Sequence, residues 1–510
     1  MNRIYLRIIA AMLASLMLLF AVACSEPKAP VETTDEVSDE STSEEETTTE
    51  EVTTEMTTTQ AVVTTQTSHD VPKDLDVDKE ITVLHWSDSV KPEFERNEPS
   101  INGVENAIYK RNLKTVDYLG LTKLSWVGIA GNQDRTEAFT EHVGNSYVSG
   151  DRAYDLVAAH SLTAVRCMLE GYLADLASIE GSYIDLEKPW WPGGFADTVT
   201  IDGSLYLLTG DISTNTIYGM KAVFYNYDLW KELKPEDPYS LVVDKKWTIE
   251  ALMRISESVA GKQADGTERF GFVAEGSDLD ALCLGAGIRL VERDPDDALS
   301  ISEDITSKKL ENLIGELAAF CSSSVVSTVE SDMQFLDRNA LFILADMNKG
   351  SRKLSRGDRN VALPLPMYDE KQNGYRTPVW DSMTLWGIMG DVESKSWENA
   401  TLTECTAVIE LLAYFGYVET TPQIAHSSLS YCYCGHPANT QNDACFEILR
   451  EGIVLDLGNV LLGSASGNSL RASVASLIRR ETTEEDFSVA LAMYRANLKA
   501  TVAKIRENAD

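Results

Sequence analysis

The chain is poor in positive charge: 44 Lys and Arg stand against 80 Asp and Glu, a net charge of −36 over 510 residues. A nucleic-acid binder needs basic surface to neutralise phosphates, so that function class is excluded. Polybasic docking on anionic lipid is excluded for the same reason. Cysteine is sparse as well. Beyond Cys24 there are Cys167, Cys283, Cys321, Cys405, Cys432, Cys434 and Cys445, an odd and scattered set with no disulfide framework. There is no Gly-x-Ser-x-Gly elbow, no His-Glu-x-x-His pair and no Walker motif, so none of the hydrolase or ATPase signatures is present. Acidic pairs of the glycosidase kind are abundant by composition alone and indicate nothing. Cys432, Cys434, His436 and Cys445 are metal-donor types, but the C-x-C spacing is not the usual zinc pair, and no metal or cofactor is expected.

What is present begins with a targeting segment. Arg3 and Arg7 precede an uncharged stretch that ends in Ala21-Val22-Ala23-Cys24. This is a secretory signal with a lipobox-like end, and it makes Cys24 the candidate lipidation site. An uncleaved membrane helix is the alternative; either arrangement leaves the rest of the chain outside the cytoplasm. Residues 25–78 are dominated by Thr, Glu, Ser and Val without an apolar face, which reads as a disordered, self-repelling tether.

From residue 79 the pattern changes. Ile81–Trp86 reads as a buried strand, Asn102–Leu119 as a helix, Leu124–Ile129 and Tyr154–Ala159 as further strands, and Leu162–Leu169 as a helix stopped at Gly171. Strand alternating with helix predicts an α/β fold with a parallel sheet. Leu205–Leu208 and Ala222–Asn226 read as strands, and Thr248 is placed as the N-cap of a helix carrying Leu252, Ile255 and Val259. Asn339–Met347 is apolar, Cys405–Phe415 reads as helix, and Thr482 with Glu485 suggests a capping box opening a last helix through Phe487, Leu491, Tyr494 and Leu498.

Four segments, in order, resemble the family 1 extracellular solute-binding proteins, the maltose-binding-like receptors of ABC transporters, and most closely a branch of large lipoproteins. Glu105–Asn112 is similar to that branch's "N-x-A-hydrophobic-Y-x-R-N" helix, and Gly150–Val157 to its "G-D-x-x-Y-D-L-V" strand. Asp185–Trp191, Gly203–Tyr206, Gly210-Asp211 and Phe224–Asn226 follow its crossover region, and Leu363–Gln372 resembles its "P-x-P-K-Y-D-E-x-Q" segment. The stretch Leu429–His436 departs from the branch's late "Y-Y-D…K…R-D" pattern.

The resemblance implies a type II periplasmic-binding-protein-like fold of two α/β lobes with a hinge, here 79–208 with 337–415 and 209–336 with 416–510. It implies a binding protein and not an enzyme, a lipid-anchored monomer on the outer face of the cell membrane. Its partners would be a small solute, a sugar or oligosaccharide by family analogy, and ABC permease subunits. A surface lipoprotein that captures polysaccharide or adheres, without transport, is the alternative. Sugar sites combine flat apolar faces with planar polar groups, and ligands sit beyond the carboxyl ends of sheet strands. The candidates are therefore Trp86 and Ser87 after the first strand, His160 and Ser161, Asp211 as an exposed carboxylate at the crossover, Asp346, and Trp380 with Asp381. Trp190-Trp191 is expected to pack, and Asp369-Glu370 to lie in a solvated loop.

Overall fold

The computed structural model describes residues 68–509 apart from 90, 194–199, 201–202, 294–298, 330, 353, 355–357, 391–399, 430–436 and 456–469. The signal segment, Cys24, nearly all of the tether, and Cys432, Cys434 and His436 lie outside the described residues. Order begins earlier than residue 79. Val71 and Val77 are buried, Tyr118 donates to the Val71 carbonyl at 3.1 Å, and Lys188 pairs with Asp70 at 2.7 Å. His69 packs edge-on to Tyr118 and Tyr414. Two valines and a histidine at the end of an otherwise polar segment are what let it adhere.

The first half of the chain lays down β1 (Glu80–Trp86), α1 (Gly103–Leu119), β2 (Lys123–Ile129), α2 (Thr136–Ser149), β3 (Leu156–His160) and α3 (Ser161–Leu169). Asn102 caps α1 by accepting from the Val104 and Glu105 amides, and Gly120, at φ 60°, ends it in the left-handed region. β1 pairs in parallel with both β2 and β3. The chain then crosses through 205–220, which holds the short helix α4 (Thr214–Gly219) and only an isolated bridge, Leu208 to Trp386, where a strand was expected.

The second sheet contains β4 (Lys221–Asn226), then helix α5 (Ile249–Val259) capped by Thr248 as expected, then β5 (Glu268–Ala274). Helices α6 (Asp280–Gly285) and α7 (Lys308–Cys321) lead on to β6 (Ala340–Asp346) and β7 (Asn360–Leu363). The order is β7-β4-β6-β5, with short edge strands Gly261–Lys262 and Val326–Ser327 on β5. β6 is parallel to β5 and antiparallel to β4. This differs from the expected boundary, which gave 337–415 to the first lobe. Residues 340–346 and 360–363 belong to the second sheet, because their apolar side chains complete it on both sides of β4.

A second crossing, 377–384, carries the chain back, and β8 (Thr384–Ile388) joins the first sheet antiparallel to β3. Helix α8 (Leu402–Phe415), opened by a Thr401–Glu404 capping box, packs on α1. A π-helical turn, Gly416–Thr420, passes into α9 (Thr421–Leu429), and α10 (Pro437–Glu451) lies on β7. The chain ends with α11 (Leu470–Ile478) and α12 (Glu484–Ala509). The cap of α12 falls one residue beyond the expected one: the Asp486 amide donates to Thr483 at 3.1 Å. The architecture is mixed α/β, with two main sheets joined by crossing segments and two small two-stranded ones beside them.

Candidate functional site

The strand that each crossing delivers runs antiparallel to its neighbours in the sheet, and this decides where the site lies. Thr384, the first residue of β8, registers with His160, the last of β3. Lys221, the first of β4, registers with Asp346, the last of β6. The two crossings bridge each other at Met220 and Val379, and the Trp380 amide donates to the Gly219 carbonyl at 3.0 Å. The carboxyl ends of the parallel strands of both sheets therefore converge on one seam, where open α/β sheets place ligands.

Trp380 stands in the second crossing, at that seam. A Cβ at Gly219 would collide with its indole, so only glycine lets the ring lie against α4. Its Nε1 donates to the Asn215 carbonyl at 2.9 Å, and the side chain is half-buried, leaving part of the ring open. Trp86 is not open. It is 1% exposed, donates from Nε1 to Thr384 Oγ1 at 3.0 Å and meets His160 edge-on at 5.2 Å. Thr384 passes the chain on by donating to Glu93 Oε2 at 3.0 Å, and Asn215 Nδ2 donates to the same oxygen. Burial pushes the Glu93 carboxyl up.

His160 is buried, and its Nδ1 accepts from the Leu162 amide at 3.3 Å, capping α3. Burial lowers its pKa to about 4 against the opposing pull of Asp381 and Asp88, so the imidazole is neutral near pH 7, with its proton on Nε2. Ser161 is fully buried and donates to the Asp381 carbonyl. Ser87 is exposed beside Asp88, whose carboxylate accepts from the Gly131 amide at 2.9 Å and so joins the loops after β1 and β2.

Across the seam, Lys221 lies 3.0 Å from Asp278 and 3.7 Å from Asp346. Arg471, from α11, donates to Asp280, to Asp381 at 3.0 Å and to the Val379 carbonyl at 3.1 Å. Composition and spacing had singled out neither cation. Lys221 opens a fully buried strand, which was the available signal; Arg471 has no local one.

The expected residues thus divide. Trp380, Asp381, Ser87 and Asp346, at the strand ends and crossings that border the seam, keep part of their surface open, while Trp86, His160 and Ser161 are buried and hydrogen-bonded or ring-packed. Asp211 is a correction. It is 2% exposed, pairs with Arg450 at 3.1 Å and accepts from Thr421, so its carboxylate is committed inside the protein. Burial raises its pKa to about 6 even with the guanidinium alongside. Trp190 and Trp191 pack as expected: both indoles donate to Glu410, at 3.0 and 3.1 Å. Among the described residues no cluster of His, Cys, Asp and Glu has metal-holding geometry, and no helix is long and apolar enough to cross a membrane.

No family model matches the chain, and no curated protein does. Solved structures do. A cyclo/maltodextrin-binding protein in complex with maltotetraose is 14% identical, with a TM-score of 0.49 over 84% of this chain and 96% of that one. The galacto-N-biose/lacto-N-biose I-binding protein of a Bifidobacterium longum ABC transporter is 12% identical, with a TM-score of 0.48 over 84% and 98%. An ABC substrate-binding protein of Listeria monocytogenes, in complex with cycloalternan, is 13% identical, with a TM-score of 0.46 over 84% and 98%. These three structures are of proteins bound to, or named for binding, a sugar, and two of them are named as belonging to ABC systems.

Proposed function

We propose that the chain is an extracytoplasmic solute-binding lipoprotein, anchored through Cys24, that captures a small polar solute, a sugar or oligosaccharide, in the seam between its sheets and delivers it to an ABC permease. The observation that carries this reading is the Trp380 platform. A half-buried indole held against Gly219 would offer an apolar face to the C–H side of a sugar ring, with the carboxylates of the adjoining Asp381 and of Asp346 as candidate partners for the hydroxyls. The protein acts as a monomer and does no chemistry; the ATPase subunits are separate chains. The tether gives the body reach above the membrane, and Cys24→Ala is expected to release the protein from the membrane fraction.

The test is a thermal-shift screen of residues 68–510 against mono- and oligosaccharides, with amino acids and peptides as controls. A solute that binds only the folded state raises Tm. A rise with one glycan class, abolished in Trp380→Ala, is the expected result. A shift with peptides alone, or one that Trp380→Ala leaves intact, refutes the sugar platform.

A further inference from the structure

Arg471 is the second residue of α11, near the C-terminal end of the chain, yet its side chain is only 11% exposed. It reaches two distant stretches of chain. Its Nε donates to the Asp280 carboxylate, which is itself buried. A single terminal nitrogen, Nη1, donates to the Val379 carbonyl at 3.1 Å and to the Asp381 carboxylate at 3.0 Å. Those two acceptors belong to the residues on either side of Trp380.

The first crossing holds Trp380 by its N–H groups. The backbone amide donates to the Gly219 carbonyl, the indole Nε1 donates to the Asn215 carbonyl, and Val379 bridges Met220. None of those contacts serves the Val379 carbonyl or the Asp381 carboxylate; the guanidinium does. Its planar fork meets an anchoring carboxylate through one nitrogen and both flanks of Trp380 through another, which the point charge of a lysine cannot reproduce. The anchor lies in α6, after β5, and α6 also packs against Thr377-Pro378 at the start of the second crossing. The guanidinium therefore sets residues 379–381 from the second-sheet half of the chain, and bending between the lobes remains open to the residues beyond Asp381.

We propose that Arg471 is a positioning residue of the solute site: it fixes the backbone on both flanks of Trp380 and so sets the pose of the indole that the solute meets, without touching the solute itself. The inference rests on the solute-binding reading of the seam. It gives α11, which belongs to neither crossing, a part in recognition, and makes solute affinity depend on the fork of Arg471 and not on its charge alone.

Arg471→Lys tests this in the intact secreted protein, because it keeps the ion pair with Asp280 and loses the fork. Fluorine NMR of fluorotryptophan-labelled protein reads the indoles without any solute, and Trp380→Phe assigns the Trp380 signal. In Arg471→Lys that signal is expected to shift or broaden while those of Trp190 and Trp191, held on Glu410, stay in place. The Trp380 amide should exchange with solvent roughly tenfold faster, the factor that about 1.4 kcal/mol supplies. Asp280→Asn, which weakens the anchor and keeps the arginine, should fall between the two. A purely structural arginine would lower Tm and leave Trp380 unmoved; that result, or equal changes at Trp190, Trp191 and Trp380, overturns the positioning role. A sugar found by the thermal-shift screen should bind Arg471→Lys about tenfold more weakly, and undiminished affinity also overturns it. The two readings fail separately. A sugar-induced Tm rise with an unmoved Trp380 signal in Arg471→Lys sinks the positioning role alone, and a displaced Trp380 with no solute raising Tm sinks the sugar reading alone.

Discussion

Replacing His160 with Asn isolates a charge that the fold forbids. The imidazole has an ordinary pKa of 6.5 and is lowered by burial to about 4 in the folded chain. A base lowered in this way contributes stability that is complete above 6.5 and is lost as pH falls toward 4, because the unfolded chain takes up a proton that the folded chain refuses. Between pH 7.5 and 4.5 the loss assignable to this group is about 2–3 kcal/mol. Two acids run the other way. Glu410, raised to about 7, and Asp211, raised to about 6, both chiefly by burial, destabilise the fold as they ionise, so acidification through the same window relieves them. The wild-type profile sums these opposed trends, and the informative quantity is the difference between the two proteins. Asn at position 160 retains an acceptor for the Leu162 amide and is a strong N-cap residue, while the lost edge contact with Trp86 is the same at both pH values. Urea unfolding at pH 7.5 and 4.5 should show the variant losing about 2–3 kcal/mol less than wild type over that interval. Equal losses in the two proteins would falsify the assignment of a buried neutral imidazole.

Truncation to residue 79 should lower stability by about 2–4 kcal/mol relative to a start at 68, since Val71 and Val77 leave their burial sites on α1 and the region around it. Identical melting curves for the two forms would show that the segment 68–78 does not belong to the folded body. Glu410→Ala should cost about 2–4 kcal/mol, because it strands two buried indole N–H groups at once, and Glu410→Gln should recover part of that by accepting from one. A Tm ordering of wild type above Gln above Ala checks it, and an Ala variant as stable as wild type contradicts it.

How far the amino-acid order reveals the fold depends on whether a feature is local. β1 and β3 are short apolar runs with nearly every residue buried, so the run itself marks them as central strands, and the residues just beyond them fall at the seam by the carboxyl-end rule. The run at 340–346 is equally apolar, yet nothing within it states which sheet it enters; that is decided by its register against β4, over a hundred residues earlier. Asp211 shows the same limit in a side chain. A carboxylate after Gly210 reads as a solvated turn, and its cation, Arg450, lies 239 residues further on. Glu410 is the instructive contrast. It stands alone among apolar neighbours in α8, and a single carboxylate on a fully buried helical face must find donors. The adjacent indoles of Trp190 and Trp191 need an acceptor, so the two anomalies match each other in the amino-acid order itself. Arg471 offers no such anomaly. A lone arginine in a mixed helix is ordinary, and its weight in the seam comes wholly from the two carboxylates, Asp280 and Asp381, that distant parts of the chain bring to it.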